Sequence, residues 1–224
     1  YGYLVGDNGI IRKNAWVEKD GKWYYADHNG KMVRNTWQGA YYLKENGEMA
    51  KNEWIYDKNY SSWYYLAENG HYVSDKWEKV NGLWYHFRRG GELDTNQWVG
   101  SYYVKGSGSM AVNEWVYDKN YSSWYYFDGN GFYITDKWEK IKNVWYFFDK
   151  DGAMLSETIY KDYLFNKNGS LAESSWVKIA DKWYYADASG KITRNKWEKI
   201  KDRWYHFNAE GVMESSTWKK KYYL

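Results

Sequence analysis

The sequence predicts an all-β fold, a solenoid of stacked β-hairpin repeats, from three observations. A glycine recurs along the whole chain, a tyrosine stands six residues before every copy of it, and the composition does not suit an ordinary globule. Aromatic side chains make up 23% of the 224 residues, as 17 Trp and 27 Tyr but only 7 Phe. These are the aromatics with a flat π-face and a polar tip. With a mean hydropathy of -0.94, many of the rings are expected at a surface. Aliphatic side chains are too sparse for one large core.

The glycines are Gly9, Gly30, Gly47, Gly70, Gly91, Gly108, Gly131, Gly152, Gly169, Gly190 and Gly211. The tyrosines before them run from Tyr3 and Tyr24 to Tyr184 and Tyr205, and Tyr222 begins a further copy that the end of the sequence cuts off. An apolar or aromatic side chain follows two residues after most of the glycines, as at Met32, Met49, Leu93 and Ile192. Standard units of about 21 residues carry two Trp seven apart, such as Trp16 and Trp23. Long units of about 23 residues place them nine apart, at Trp54 with Trp63 and Trp115 with Trp124, around the insert Tyr-Asp-Lys-Asn-Tyr-Ser-Ser. Short units of about 17 residues have Ala40, Ser101 or Asp162 where the second Trp would stand. The three kinds recur as a block over 37–97, again over 98–158, and more loosely from Ile159. The whole of 1–224 therefore reads as a single repeat module of about twelve units, the first and last incomplete, taken from a longer protein.

Within a unit, Trp16-Val17-Glu18-Lys19 and Lys22-Trp23-Tyr24-Tyr25 are rich in strand formers. Asp20-Gly21 between them, and Asn81-Gly82 in a later copy, suit the left-handed positions of a two-residue hairpin turn. A lone hairpin is marginal in water. Neighbours must supply the buried surface, which makes the array quasi-one-dimensional. The absence of proline agrees with closely packed strands.

Strand alternation places Trp23 and Tyr25 on one face and Tyr24 on the other. Trp16 can then meet Trp23 across the hairpin, with Tyr41 of the next unit approaching from the opposite side. Two indoles and a phenol around a gap form an aromatic cage. Such a cage suits a quaternary ammonium, whose positive charge sits against the ring faces and whose methyl groups are poorly hydrated.

The pattern Trp-x-x-x-x-x-x-Trp-Tyr-Tyr followed by Gly-x-Met resembles the choline-binding repeats of pneumococcal and related streptococcal surface proteins. The resemblance covers nearly the whole chain. The short units Trp37-Gln38-Gly39-Ala40-Tyr41-Tyr42 and Trp98-Val99-Gly100-Ser101-Tyr102-Tyr103, with Asn52-Glu53-Trp54-Ile55-Tyr56-Asp57, look most like the tail of a wall-cleaving endo-β-N-acetylglucosaminidase. The family's fold is a hairpin solenoid with choline between successive units. Carried over, the resemblance implies cages of Trp16 and Trp23 with Tyr41, Trp54 and Trp63 with Tyr85, and Trp77 and Trp84 with Tyr102. It further implies Trp115 and Trp124 with Tyr146, Trp138 and Trp145 with Tyr163, Trp176 and Trp183 with Tyr205, and Trp197 and Trp204 with Tyr222. In the short units a cage should be missing or altered. The longer turns of the long units are expected to displace Trp63 and Trp124, leaving Tyr56, Tyr60, Tyr117 and Tyr121 to close a differently shaped site. The implied ligand is choline or phosphocholine, with no cofactor. The implied partner is phosphocholine-bearing teichoic or lipoteichoic acid of a bacterial cell wall, for a secreted, surface-held protein whose catalytic domain lies elsewhere.

Other functions fare worse. Net charge is +3, from 32 basic and 29 acidic residues mixed along the chain, which disfavours nucleic acid. There is no cysteine, no apolar run long enough to span a membrane, and no nucleophile elbow, phosphate loop or zinc motif. The carboxylates recur with the repeat and mark no single catalytic pair, and the four histidines do not cluster as metal ligands. Two rivals stay open. Open aromatic platforms stack sugars, so a glucan-binding repeat is the first. A spacer or homodimerisation tail, with its rings consumed by packing, is the second.

Overall fold

The structure is a computed structural model that describes residues 2–215 and the strands Trp218–Lys219 and Tyr222–Tyr223. Among the described residues there is no helix. Eleven two-stranded antiparallel sheets follow one another, each a hairpin of consecutive strands. The all-β hairpin solenoid expected from the repeat is the observed architecture. The chain falls into two compact units, 1–110 and 111–224, each a stack of hairpins.

Turn chemistry fixes the three kinds of hairpin. In the standard one, Ala15–Lys19 pairs with Lys22–Ala26, and Trp16 faces Tyr25, Val17 faces Tyr24 and Glu18 faces Trp23. Asp20 and Gly21 have φ of 51° and 73°, the doubly left-handed turn that matches strand twist. The long hairpins keep this register, with Trp54 opposite Tyr65 and Tyr56 opposite Trp63. Both added residues lie in the turn between Asp57 and Ser62, so Trp63 and Trp124 are not displaced along the strands. That corrects the expectation of shifted tryptophans: a two-residue insertion at a hairpin tip preserves the side-chain period of two. The short hairpins, such as Thr36–Gln38 with Tyr41–Leu43, lose two strand pairs and turn at Gly39 and Ala40.

Alternation gives each hairpin two unlike faces. One carries Val17, Tyr24 and Ala26, and their counterparts form a core column. From Tyr24 to Tyr205 its most deeply buried position comes two residues after the repeat tyrosine. Leu43, Leu66, Phe87, Val104, Phe127, Phe148, Phe165 and Phe207 are fully buried there. The other face carries Trp16, Glu18, Trp23 and Tyr25. A second left-handed residue precedes each first-strand aromatic by two positions, at Asn14, Asn35, Asn52, Asp75 and Asn96 in the first compact unit. Asn and Asp tolerate this conformation better than other side chains.

Consecutive hairpins are joined by a recurring backbone hydrogen bond. The Met49 amide donates to the Trp23 carbonyl at 2.8 Å, Leu93 to Trp63 at 2.9 Å, and Met110 to Trp84 at 2.8 Å. The same bond recurs in the second unit from Met154 to Trp124, Leu171 to Trp145 and Met213 to Trp183. In the short hairpins Ala40 and Asp162 accept it, from Tyr72 at 3.0 Å and Ile192 at 2.8 Å. The residue standing for the second Trp thus keeps its backbone role whatever its side chain. Beside this bond the repeat glycine presses on the preceding unit. A Cβ at Gly70, whose φ is +81°, would lie 2.6 Å from Met49 Cε.

Gly70→Ala therefore combines left-handed strain with a clash, whereas Gly82→Ala adds only strain, because nothing lies within 4 Å of its Cβ position at φ +86°. Urea unfolding should show a loss of about 1–2 kcal/mol for Gly82→Ala and a clearly larger loss for Gly70→Ala.

Candidate ligand-binding site

The face bearing Trp16 and Trp23 is covered by the core face of the following hairpin, which brings Tyr41 down onto it. The Trp16 and Tyr41 rings meet edge-to-face with centroids 5.0 Å apart. Trp16 is held from its own hairpin by Tyr25, at 5.3 Å. Trp23 lies diagonal to Trp16 rather than directly opposite, since Glu18 takes the opposing position. Trp16, Trp23 and Tyr41 line one pocket of about 260 Å³, with Met49 as an apolar wall and Lys51 and Asn69 as its polar lining. The apolar residue that follows the repeat glycine by two positions is thus a pocket wall as well.

The same meeting of first-strand Trp and following Tyr recurs in five further copies. Centroid distances are 4.9 Å for Trp54–Tyr85, 5.4 Å for Trp77–Tyr102, 4.9 Å for Trp115–Tyr146, 5.0 Å for Trp138–Tyr163 and 4.9 Å for Trp176–Tyr205. The two tryptophans approach at right angles at 6.4 Å in Trp138–Trp145 and in Trp176–Trp183. In the long hairpins the second Trp packs at a tilt on a tyrosine of its own hairpin, Trp63 on Tyr56 and Trp124 on Tyr117, each at 5.3 Å. Trp84 shares its face with Trp77 by register. Trp197 rests on His206 at 5.2 Å with Trp204 exposed beside it, and the Tyr222 side chain expected to complete that cage lies outside the described residues.

Burial separates the two tryptophans. First-strand indoles are half-buried, and Trp16, Trp54, Trp115, Trp138 and Trp176 each pack on two or more rings. Most second-strand ones stay open to solvent, at 46% for Trp63, 41% for Trp84, 44% for Trp124 and 39% for Trp145, whereas Trp23 is half-buried in its pocket. Packing alone accounts for the first set. The exposed indoles add little to folding, and their flat faces are available to a ligand. Lys79 and Lys140 lie over Trp84 and Trp145, 5.9 Å and 5.7 Å from the ring centroids. Those ring faces therefore already attract a cation.

The short hairpin differs. Trp37 meets Tyr64 of the following long hairpin at 4.9 Å, and its Nε1 donates to the buried Asp57 carboxylate at 2.6 Å. Sequence reading left Trp37 without a site, because its hairpin lacks a second Trp. Among the described residues no group of His, Asp and Glu is placed to hold a metal ion, and no helix is long and apolar enough to cross a membrane.

Comparison with known proteins gives two family matches. The "Putative cell wall binding repeat" model matches residues 14–32, 52–72, 75–93, 136–154, 174–192 and 195–213, and the "Choline-binding repeat" model matches 31–61 and 92–133. A "Putative endo-beta-N-acetylglucosaminidase" of Streptococcus pneumoniae is 33% identical over 84 residues, 38% of this chain and 13% of the relative. The solved modular autolysin LytC of Streptococcus pneumoniae is 34% identical, with a TM-score of 0.75, over 95% of this chain and 51% of that one. LytC has also been solved in complex with a synthetic peptidoglycan ligand. The chain thus spans about half the length of that autolysin, and its match to the glucosaminidase covers a small part of the latter.

Removing each kind of indole should separate folding from binding. Trp138→Ala loses contacts with Tyr163, Phe147 and Phe165 and should cost about 2–3 kcal/mol in urea unfolding. Trp145→Ala, at an exposed position, should stay within about 0.5 kcal/mol of the parent.

Proposed function

The chain belongs to the choline-binding, cell-wall-binding repeat family, and we propose that its hairpin stack attaches a larger bacterial surface protein to phosphocholine groups of wall teichoic or lipoteichoic acid. The observation that carries this reading is the pocket walled by Trp16, Trp23, Tyr41 and Met49. Three ring faces and a thioether surround a space with no carboxylate in its lining. That environment rewards a large, poorly hydrated cation over a compact, well-hydrated one. The Lys51 ammonium at the same pocket suits the phosphate next to a choline headgroup.

The catalogue of side chains implies binding without chemistry. The pocket rings touch a ligand through dispersion and cation–π attraction, each contact contributing about 0.5–2 kcal/mol. One pocket is therefore weak. A wall polymer displays its choline groups along a chain, and successive hairpins display pockets along the array. Each further engagement is then intramolecular and gains from high effective concentration. In this reading the array carries no catalytic group. The likeness to a glucosaminidase and to an autolysin supports a peptidoglycan hydrolase as the attached domain, held close to its substrate on the cell surface.

Choline titrated into the chain should produce a saturable change in tryptophan fluorescence and near-ultraviolet circular dichroism, while sucrose and a soluble glucan produce none. Trp84→Ala should remove part of the choline response without changing the rest. A response to glucan in place of choline would overturn the proposal.

A further inference from the structure

The first compact unit holds a second pocket, of about 310 Å³, at the junction of the short hairpin around Trp37 and the long hairpin that follows it. Its walls come from features that set these two hairpins apart. The short turn places Gly39 where a standard hairpin continues toward its second Trp, which leaves a gap beside Trp37. The long turn fills part of that gap with Tyr60, an otherwise exposed ring that packs on Tyr64 with centroids 6.3 Å apart. Tyr64 and Tyr72 meet the Trp37 indole edge-to-face at 4.9 Å and 5.7 Å. The Trp37 ring is fixed by its bond to Asp57, which is itself buried.

One lining group distinguishes this pocket from the Trp16 pocket: the Glu92 carboxylate. It lies across Gly90, where a Cβ would come within 2.6 Å of both carboxylate oxygens, so the missing side chain at 90 is what lets Glu92 take this position. Burial, and then the Glu92 charge, push the Tyr64 hydroxyl up to about 12, which keeps it a neutral hydrogen-bonding group beside the carboxylate. Four aromatic rings make the space attractive to an organic cation, and a carboxylate adds direct charge compensation. The Trp16 pocket has Lys51 instead, which is compatible with an anion attached to the ligand.

We propose that Trp37, Tyr60, Tyr64, Tyr72 and Glu92 form a second class of binding site, for a choline-sized organic ammonium that carries no adjacent anionic group. The proposal rests on the reading of the array as an ammonium binder. It adds that the array discriminates between choline and phosphocholine, pocket by pocket. At the Glu92 pocket the phosphate of phosphocholine meets a like charge, while at the Lys51 pocket it meets an opposite one. The insertion of the long unit and the deletion of the short one then have a common function, because the inserted tyrosine replaces the missing tryptophan.

Equilibrium dialysis of the full chain with choline and, separately, with phosphocholine at low salt tests this. The chain should bind more equivalents of choline than of phosphocholine. Tyr60→Ala should lower the choline stoichiometry by one, and Glu92→Gln should narrow the difference between the two ligands. Both positions lie in turns, and circular dichroism of each variant checks that the fold is kept. Trp23→Ala serves as the control at the other pocket and should lower both stoichiometries. If Trp23→Ala removes a site while Tyr60→Ala and Glu92→Gln change neither stoichiometry, the second class of site is overturned and the wall-attachment reading stands. If the parent chain binds neither ligand, both fall.

Discussion

The Met49 amide reaches back to the Trp23 carbonyl, and that hydrogen bond with its repeats sets how one hairpin lies on the last. A two-stranded hairpin has only two faces and cannot cover either of them alone. Within each compact unit the core face of one hairpin is laid on the aromatic face of its predecessor, as Tyr41 lies on Trp16 and Tyr205 on Trp176. The join admits no side chain at the repeat glycine, where a Cβ would strike the apolar residue of the unit before. Because the bond uses backbone atoms alone, the side chain at the accepting position is free to change. It is Trp at six of the observed joins and Ala40 or Asp162 in short units, without loss of the join.

That freedom explains how the array combines a fixed scaffold with variable pockets. The first-strand Trp is committed to packing. Trp176, for example, contacts Tyr185, Tyr205 and Phe207, with centroids 4.9–5.6 Å away. The second-strand Trp is more open to solvent in most copies, and the join persists where Ala40 or Asp162 takes its place. Lengthening or shortening the hairpin tip alters the mouth without moving the register, since Trp54 and Tyr65 pair as Trp16 and Tyr25 do. Insertions at the tips are thus a route to new pocket chemistry at little cost in folding.

Most of the fold was legible from the sequence because it is carried by local signals. The glycine and tyrosine period marked the recurring hairpins, and Asp20-Gly21 and Asn81-Gly82 gave the turns, each with two left-handed residues. The left-handed position at Asn14 and its counterparts escaped notice, although Asn or Asp recurs there at a constant offset before the first Trp. The meeting of Trp16 with Tyr41 was legible through alternation plus stacking. Two things were not. A nine-residue Trp spacing does not reveal whether added residues enter the strand or the tip, and the cross-strand register decides that. The Trp37 pocket combines side chains from 37, 60, 64, 72 and 92, a span no single repeat motif contains.

The central claim is that ligand is held between hairpins, by two indoles of one and a phenol of the next. A crystal structure of the chain grown with saturating choline tests it most directly. The account predicts trimethylammonium density enclosed by Trp16, Trp23 and Tyr41, and again by Trp176, Trp183 and Tyr205. Choline found only on outer surfaces of the hairpins, with those gaps empty, would contradict it.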